Sequence, residues 1–251
     1  MPHTSKKYRK QDTPSSNNRL TYIVIAVIVA IVAAGGGFYA YSTYFHTVSS
    51  STSSSSTTAT DVNTCTPSTS IVCATLVTSQ GTFEVELFEN ATPTTVNNFV
   101  SLADSGFYNN LVWHRISRDF VIQTGDPTTR DGEGSPCSWG SGTSGKTIPL
   151  EIVPSLHNYA GYLGMASPSG GLPSSQFYIN LNNTNAASLD GRYTVFGKVV
   201  SGMNVVDAIG SLPINGSCSG GPTDGPPADP SQAMLISVTI QSTNSTSTTS
   251  S

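Results

Sequence analysis

The chain has 251 residues, 10% of them charged and 37% hydrophobic, with a formal net charge of -4, 23 Gly, 15 Pro and 4 Cys. Soluble domains usually carry roughly a quarter charged residues, so here Ser and Thr must supply much of the polar surface. The acidic balance, with no basic cluster after residue 19, excludes a nucleic-acid footprint, which needs clustered cations against phosphate.

The first 19 residues hold Lys6, Lys7, Arg9, Lys10 and Arg19 against Asp12 alone, and read as a basic cytoplasmic tail. Residues 20–45 carry no charge. At about 1.5 Å per residue their apolar part spans a hydrocarbon core of roughly 30 Å, with Tyr39, Tyr41 and Tyr44 placed for an interfacial belt. The expectation is a single-pass transmembrane anchor in the cell membrane, with everything after residue 45 on the extracytoplasmic side. The alternative is a cleaved signal peptide ending near Val32-Ala33-Ala34. Residues 46–71 and 242–251 are Ser/Thr-rich and cannot bury enough apolar area to offset the entropy of ordering, so they read as a stalk and a disordered tail. Asn90, Asn182, Asn215 and Asn244 head glycosylation sequons.

Residues 72–241 remain for one domain. A hairpin is predicted from strands over 72–77 and 82–88, joined at Ser79-Gln80-Gly81, with Phe83, Val85 and Leu87 alternating with Glu84 and Glu86. Thr92 as N-cap and Pro93 at the first helical position open a helix whose stripe is Val96, Phe99, Val100 and Ala103 and whose stop is Gly106. Short apolar runs follow at 111–116, 120–123, 162–166, 176–181, 194–200 and 234–241, with a second helix over 203–209. This pattern predicts a mainly β fold, a closed antiparallel eight-stranded β-barrel capped by two helices, because closure removes exposed strand edges.

Cys65, Cys73, Cys137 and Cys218 are even in number and would lie on the oxidising side of a membrane, so two disulfides are expected. Three pairings are open; the favoured one joins Cys65 to Cys73, clipping the stalk to the first strand, and Cys137 to Cys218, joining two Gly/Ser-rich loops. His3, His46, His114 and His157 are scattered and no C-x-x-C occurs, which argues against a metal. No nucleophile elbow, phosphate loop or dinucleotide fingerprint is present, so no cofactor is expected.

Two blocks carry more. WHRISRDFVIQTGDP (113–127) and LGMASPSGGLPSSQFYINL…LDGRYTVFGKVVSGMNVVDAI (163–209), with the preceding ENATPTTVNNFVSLADSGFYNN, resemble the cyclophilin-type peptidyl-prolyl isomerases over roughly 72–241. The resemblance implies catalysis of X-Pro bond rotation by a cofactor-independent and monomeric catalytic domain that binds proline-containing polypeptides; with the anchor expected over 20–45, its substrates would be exported or cell-surface proteins, whose folding it would assist. Amide rotation faces about 18 to 20 kcal/mol, while cis and trans X-Pro differ by only about 0.5 to 1 kcal/mol, so only the barrier needs lowering. A guanidinium aimed at the prolyl nitrogen stabilises its lone pair as that atom becomes pyramidal. In the family pattern this group is Arg115. Phe120, Val121, Tyr178 and Leu189 would seat the proline ring, Gln123 would support Arg115 and a substrate carbonyl, and Ala166, Ser167 and Gln176 would line the groove, with Tyr193 at the position of the family's final pocket His. Taken singly, Phe120 and Leu189 would read as core and Arg115 beside Arg118 as a solvated strand face. Their joint order decides otherwise.

His114 reads as a packing residue and Asp126 as a loop hydrogen-bonder. Val121, Ser167, Tyr178 and Tyr193 depart from commoner family residues. Ser188 stands where a cyclosporin-contacting Trp is found in many eukaryotic members, and the segment from Asn182 looks about two residues longer, so weak cyclosporin sensitivity is expected. The loop over 132–146 matches no family block and would set substrate preference. The alternative to an enzyme is a low-turnover proline-peptide binding module, an adaptor at the membrane surface.

Overall fold

A computed structural model describes residues 64–68, 71–167, 171–218 and 221–241. The expected anchor over 20–45, the basic tail, most of the stalk and the tail over 242–251 lie outside the described residues. Among the described residues no helix is long and apolar enough to cross a membrane.

The elements run β1 (Val72–Thr78), β2 (Gly81–Leu87), α1 (Pro93–Asp104), β3 (Leu111–Val112), β4 (Arg115–Ser117), β5 (Val121–Thr124), β6 (Tyr162–Met165), β7 (Phe177–Asn180), α2 (Ala186–Leu189), β8 (Thr194–Ser201), α3 (Met203–Gly210), β9 (Asp224–Gly225) and β10 (Met234–Gln241). The strands form one antiparallel sheet in the order β3-β10-β1-β2-β8-β6-β7-β5-β4-β9. This corrects the expected closed eight-stranded barrel: the sheet is curled, has ten strands, and ends on β3 and β9. The single strand predicted over 111–116 is two, because the chain stops pairing with β10 after Val112 and pairs with β5 and β9 from Arg115. At that corner side chains replace a ladder. The Val112 amide donates to the Thr129 hydroxyl at 3.0 Å and its carbonyl accepts from Thr124 Oγ1 at 2.9 Å.

The first hairpin forms as its alternation requires, with Phe83, Val85 and Leu87 buried and Glu84 and Glu86 half-buried on the other face. Helix α1 buries Thr95, Val96, Phe99 and Ala103. Its N-terminus differs from expectation: Thr92 occupies the cap position but its hydroxyl donates back to Phe88, and the orphan amides are met by a distant carboxylate. Glu151 accepts from Thr94 N at 3.0 Å, Thr95 N at 2.8 Å and Thr95 Oγ1 at 2.7 Å. Burial alone would raise the Glu151 pKa, but these bonds outweigh it and hold the carboxyl below the usual range.

Phe99 brings helix and sheet together, with its ring centroid 5.1 Å from Tyr108 and 5.4 Å from both Phe177 and Phe196. Trp113, Phe83, Ile116, Ile122, Leu163 and Ile179 are among the fully buried residues of the same core. Helix α3 starts at Gly202, whose φ of +80° and close approach to Thr82 and Phe83 leave no room for a Cβ. The third helix, the single turn α2, has too few residues for a periodic signal and was not expected.

The cysteines pair Cys65–Cys73 and Cys137–Cys218. Residues before β1 are thereby tied to the sheet, and the Cys65 amide also donates to Glu84 Oε2 at 2.8 Å.

A candidate active site on the outer face of the sheet

The sheet alternation that fills the core also builds the site. On β5, Ile122 points into the core, while Val121 and Gln123 take the opposite face; on β7, Phe177 and Ile179 go inward and Tyr178 outward. Outside, Val121, Ala166, Tyr178 and Leu189 form a second apolar cluster, joined by Phe120 and Tyr193. Cross-strand register aligns Arg115 with Gln123, Gln123 with Tyr178, and Tyr178 with Gly164. The Tyr178 ring lies directly on β6 because Gly164 has no side chain: a Cβ there would stand 2.2 Å from Tyr178 Cζ. The result is a cavity of about 180 Å³ lined by Arg115, Phe120, Val121, Gln123, Ala166, Ser167, Tyr178, Leu189 and Tyr193.

Polar bonds behind the cavity fix its walls. Tyr178 Oη donates to Asn158 Oδ1 at 2.6 Å, and Asn158 donates through Nδ2 at 2.9 Å and its amide at 2.8 Å to Asp190 Oδ1. The other Asp190 oxygen lies 2.7 Å from His157 Nδ1. Burial would raise the Asp190 pKa, but the bonds from Asn158 and His157 prevail and lower it. Burial drives the Tyr178 phenol pKa upward, so it remains a donor. Tyr193 meets Tyr178 edge-on at 5.6 Å. The segment after Asn182 folds into a 3-10 turn and then α2, and Asn185 Nδ2 donates to Asp119, Phe120 and Asn180 oxygens. That clamp sets Phe120 against the segment carrying Leu189. Ser188 is exposed and bonds back to Asn185.

Arg115 has a partner that sequence reasoning missed. Its Nε donates to Asp224 Oδ1 at 3.0 Å and its Nη2 to Asp224 Oδ2 at 2.7 Å, while Cζ sits 5.8 Å from the Phe120 ring centroid. The bond to Asp224 raises the Arg115 pKa further. Burial pushes the Asp224 carboxyl upward, and the bonds and charge of Arg115 more than reverse that. The Gln123 support implied for Arg115 goes elsewhere: Gln123 Nε2 donates to Gln176 Oε1 at 2.8 Å. Gln176 Nε2 in turn donates to the Gly140 and Gly142 carbonyls at 2.9 and 2.8 Å.

Those glycines belong to the loop that matched no family block. Gly140, Ser141, Gly142 and Thr143 line a second cavity of about 120 Å³ together with Gln123, Ala166, Ser167, Ser174 and Gln176. Asp126, fully buried, holds this loop by accepting from the Gly140 and Gly142 amides and from Thr128. Burial would raise its pKa, yet these bonds keep it low, as fits a loop hydrogen-bonder rather than an acid. A third cavity, about 440 Å³, shares Arg115 and Gln123 with the first and is lined further by Trp139, Asp224 and the Cys137–Cys218 disulfide. His114 forms part of its wall. Burial lowers the His114 pKa from 6.5 to about 4, and among the described residues neither ring nitrogen has a hydrogen-bond partner of good geometry.

All of Arg115, Phe120, Val121, Gln123, Ala166, Ser167, Tyr178, Leu189 and Tyr193 meet in one cavity, and Gln176 joins at its neighbour. Asp224 and Asn158 support the site without a sequence signal, since single acids and amides in irregular segments have no periodicity, and Asp190, though inside the second quoted block, has nothing beside it in sequence that points to Asn158 and His157 as its partners. The chain between residues 73 and 240 matches the family model described as cyclophilin type peptidyl-prolyl cis-trans isomerase/CLD. It is 44% identical over 139 residues to peptidyl-prolyl cis-trans isomerase-like 1 of Aspergillus fumigatus, covering 55% of this chain and 81% of that protein. It is 39% identical over 142 residues to peptidyl-prolyl cis-trans isomerase-like 3 of Rattus norvegicus, covering 56% and 83%. Among solved structures, a Cryptosporidium parvum cyclophilin type peptidyl-prolyl cis-trans isomerase in the presence of the dipeptide Ala-Pro superposes with a TM-score of 0.57 at 29% identity, over 68% of this chain and 99% of that one.

Proposed function

The chain belongs to the cyclophilin-type peptidyl-prolyl cis-trans isomerase family and is an isomerase of X-Pro bonds; from that premise we propose that the cavity around Arg115 is its catalytic site. The observation carrying the reading is the meeting, in one cavity of about 180 Å³, of a guanidinium held by Asp224 with the apolar cluster of Val121, Ala166, Tyr178 and Leu189. Phe120, Val121, Tyr178 and Leu189 hold the ring, Tyr193 closes one rim, and Gln123, Ala166, Ser167 and Gln176 offer polar groups to the flanking backbone. As the C–N bond twists, resonance is lost and the prolyl nitrogen regains a lone pair. Arg115 stabilises that charge only in the twisted state, so the preference falls on the transition state. No nucleophile or proton transfer is needed. Removing one such preorganised donor typically costs about 10²–10³ in rate.

The same reading places the domain outside the cytoplasm, where it would assist folding of exported chains. It is supported by the uncharged stretch over 20–45 behind a basic N-terminus and by two disulfides, which persist in oxidising compartments. NMR exchange measurements on an X-Pro peptide test the site: the parent accelerates exchange and Arg115→Ala loses most of that acceleration. An Arg115→Ala protein as fast as the parent refutes it. Protease digestion of intact cells tests the placement, and complete protection of the domain there would exclude it.

A further inference from the structure

The Arg115 guanidinium is gripped by a residue that does not line the cavity proposed for the proline ring. Asp224 stands on β9, the edge strand paired to β4 with Ser117 opposite Asp224 and Ile116 opposite Gly225. Its two oxygens take Nε and Nη2 of Arg115 in a fork, which fixes the plane of the guanidinium as well as its position. Of the five N–H donors on Arg115, two are spent there, and among the described residues Nη1 makes no hydrogen bond. Phe120 lies against the guanidinium as well, so the group is held at one edge by a carboxylate and contacted by an aromatic ring.

Described residues on either side of Asp224 are tied to the rest of the domain at several points. The Ala228 amide donates to Pro213 and the Asn215 amide to Pro226, both at 2.8 Å, and Arg118 N donates to Thr223 at 2.8 Å. Arg118 further reaches Gly210 and Leu212 carbonyls, and Cys218 binds the loop covalently to Cys137. The ion pair itself, with side chains 40% and 32% exposed, contributes little to folding. It does matter for a group whose direction decides how well it meets a developing lone pair, because a long side chain must otherwise be immobilised during the reaction.

We infer that Asp224 is a positioning residue for the isomerase reaction, orienting Arg115 toward the prolyl nitrogen through the bidentate contact held by the disulfide-closed loop. The inference rests on Arg115 being the catalytic group. The planar ground-state amide has little lone pair to offer, so the loss of orientation falls on kcat and leaves KM nearly unchanged.

The test uses the full chain and an X-Pro peptide, with kcat and KM measured for the parent, Asp224→Asn, Asp224→Glu, Arg115→Ala and the Arg115→Ala/Asp224→Asn double variant. Expected are a roughly tenfold lower kcat for Asp224→Asn with KM within about twofold, and a smaller loss for Asp224→Glu, which keeps the charge and the fork. In the Arg115→Ala background, Asp224→Asn changes nothing further, because a positioning residue has no effect without the group it positions. Equal losses in both backgrounds, an unchanged kcat in Asp224→Asn, or Asp224→Glu slower than Asp224→Asn would overturn the inference. Should Arg115→Ala itself keep the parent rate, the catalytic reading fails first and the inference falls with it; Arg115→Ala slow beside Asp224→Asn fast removes the positioning role alone.

Discussion

Replacing Asp126 by Asn keeps the shape of a fully buried side chain and removes its charge, and the structure determines what that costs. One carboxylate oxygen accepts from Thr128 N at 2.8 Å and Thr128 Oγ1 at 2.7 Å; the other accepts from the Gly140 and Gly142 amides. An amide group has only one oxygen. Facing the glycines with its NH₂ would set donor against donor twice, so the better orientation turns the NH₂ toward Thr128, whose hydroxyl can rotate to accept while its amide loses its partner. One lost charge-assisted bond is worth about 1.5–3 kcal/mol, and weakening the two glycine bonds to neutral strength adds roughly 1 kcal/mol. The sum, about 2.5–4 kcal/mol, lowers Tm by on the order of 10 °C for a domain of this size. Circular dichroism melts at pH 7 measure it.

The same substitution has a pH signature and a kinetic one. In the parent the Asp126 pKa is depressed, so its stabilisation is present above the unfolded value near 3.9 and is lost as pH falls through the folded value; the gap between parent and variant is constant from about pH 5 to 7 and narrows below about 4. Because the loop presents the Gly140 and Gly142 carbonyls to Gln176, its loosening raises KM for the peptide while Arg115, held separately, preserves kcat. Melts of parent and variant within 1–2 °C of each other (roughly the assay's own scatter for changes below 0.5 kcal/mol) would refute the claim that the carboxylate's charge holds the loop.

Three further outcomes are expected. Gly164→Ala puts a Cβ 2.2 Å from the buried Tyr178 ring, whose hydroxyl is committed to Asn158, so overpacking of about 1–3 kcal/mol and a higher peptide KM should appear together in urea titrations and kinetics; a normal KM would mean that the ring moves freely. His114 is buried neutral with its pKa lowered to about 4, so the unfolded chain takes up a proton below pH 6.5 that the folded chain refuses, and stability falls between pH 6.5 and 4 by on the order of 3 kcal/mol; His114→Gln should flatten that slope in urea midpoints measured across the range. Under a graded dithiol reductant, Cys137–Cys218 should open before Cys65–Cys73, since Cys137 is exposed whereas Cys65 and Cys73 are buried; alkylation followed by peptide mass spectrometry gives the order, and the reverse order counts against accessibility as the controlling factor.

The sequence by itself determined the elements whose signals are local: the alternating hairpin of β1 and β2, the stripe of α1 with its Gly106 stop, the α3 helix, and the family blocks whose joint order marks Arg115, Phe120, Gln123 and Leu189. The faces of β5 and β7 carry no such alternation, since Val121-Ile122 and Phe177–Asn180 are buried without a break, so the cavity residues there were named from the resemblance of the blocks and not from periodicity. Tertiary structure decided the rest, and for one physical reason: these features are pairings across long stretches of chain with no periodic trace. Glu151 caps α1 across 56 residues in place of Thr92, and Asp224 reaches Arg115 across 109. The break between β3 and β4 depends on which neighbours Leu111 and Arg115 find, and so does the curled ten-stranded sheet in place of a closed eight-stranded barrel. A side chain's partner is set by which loops the folded sheet brings to one edge, and composition near the residue does not encode it.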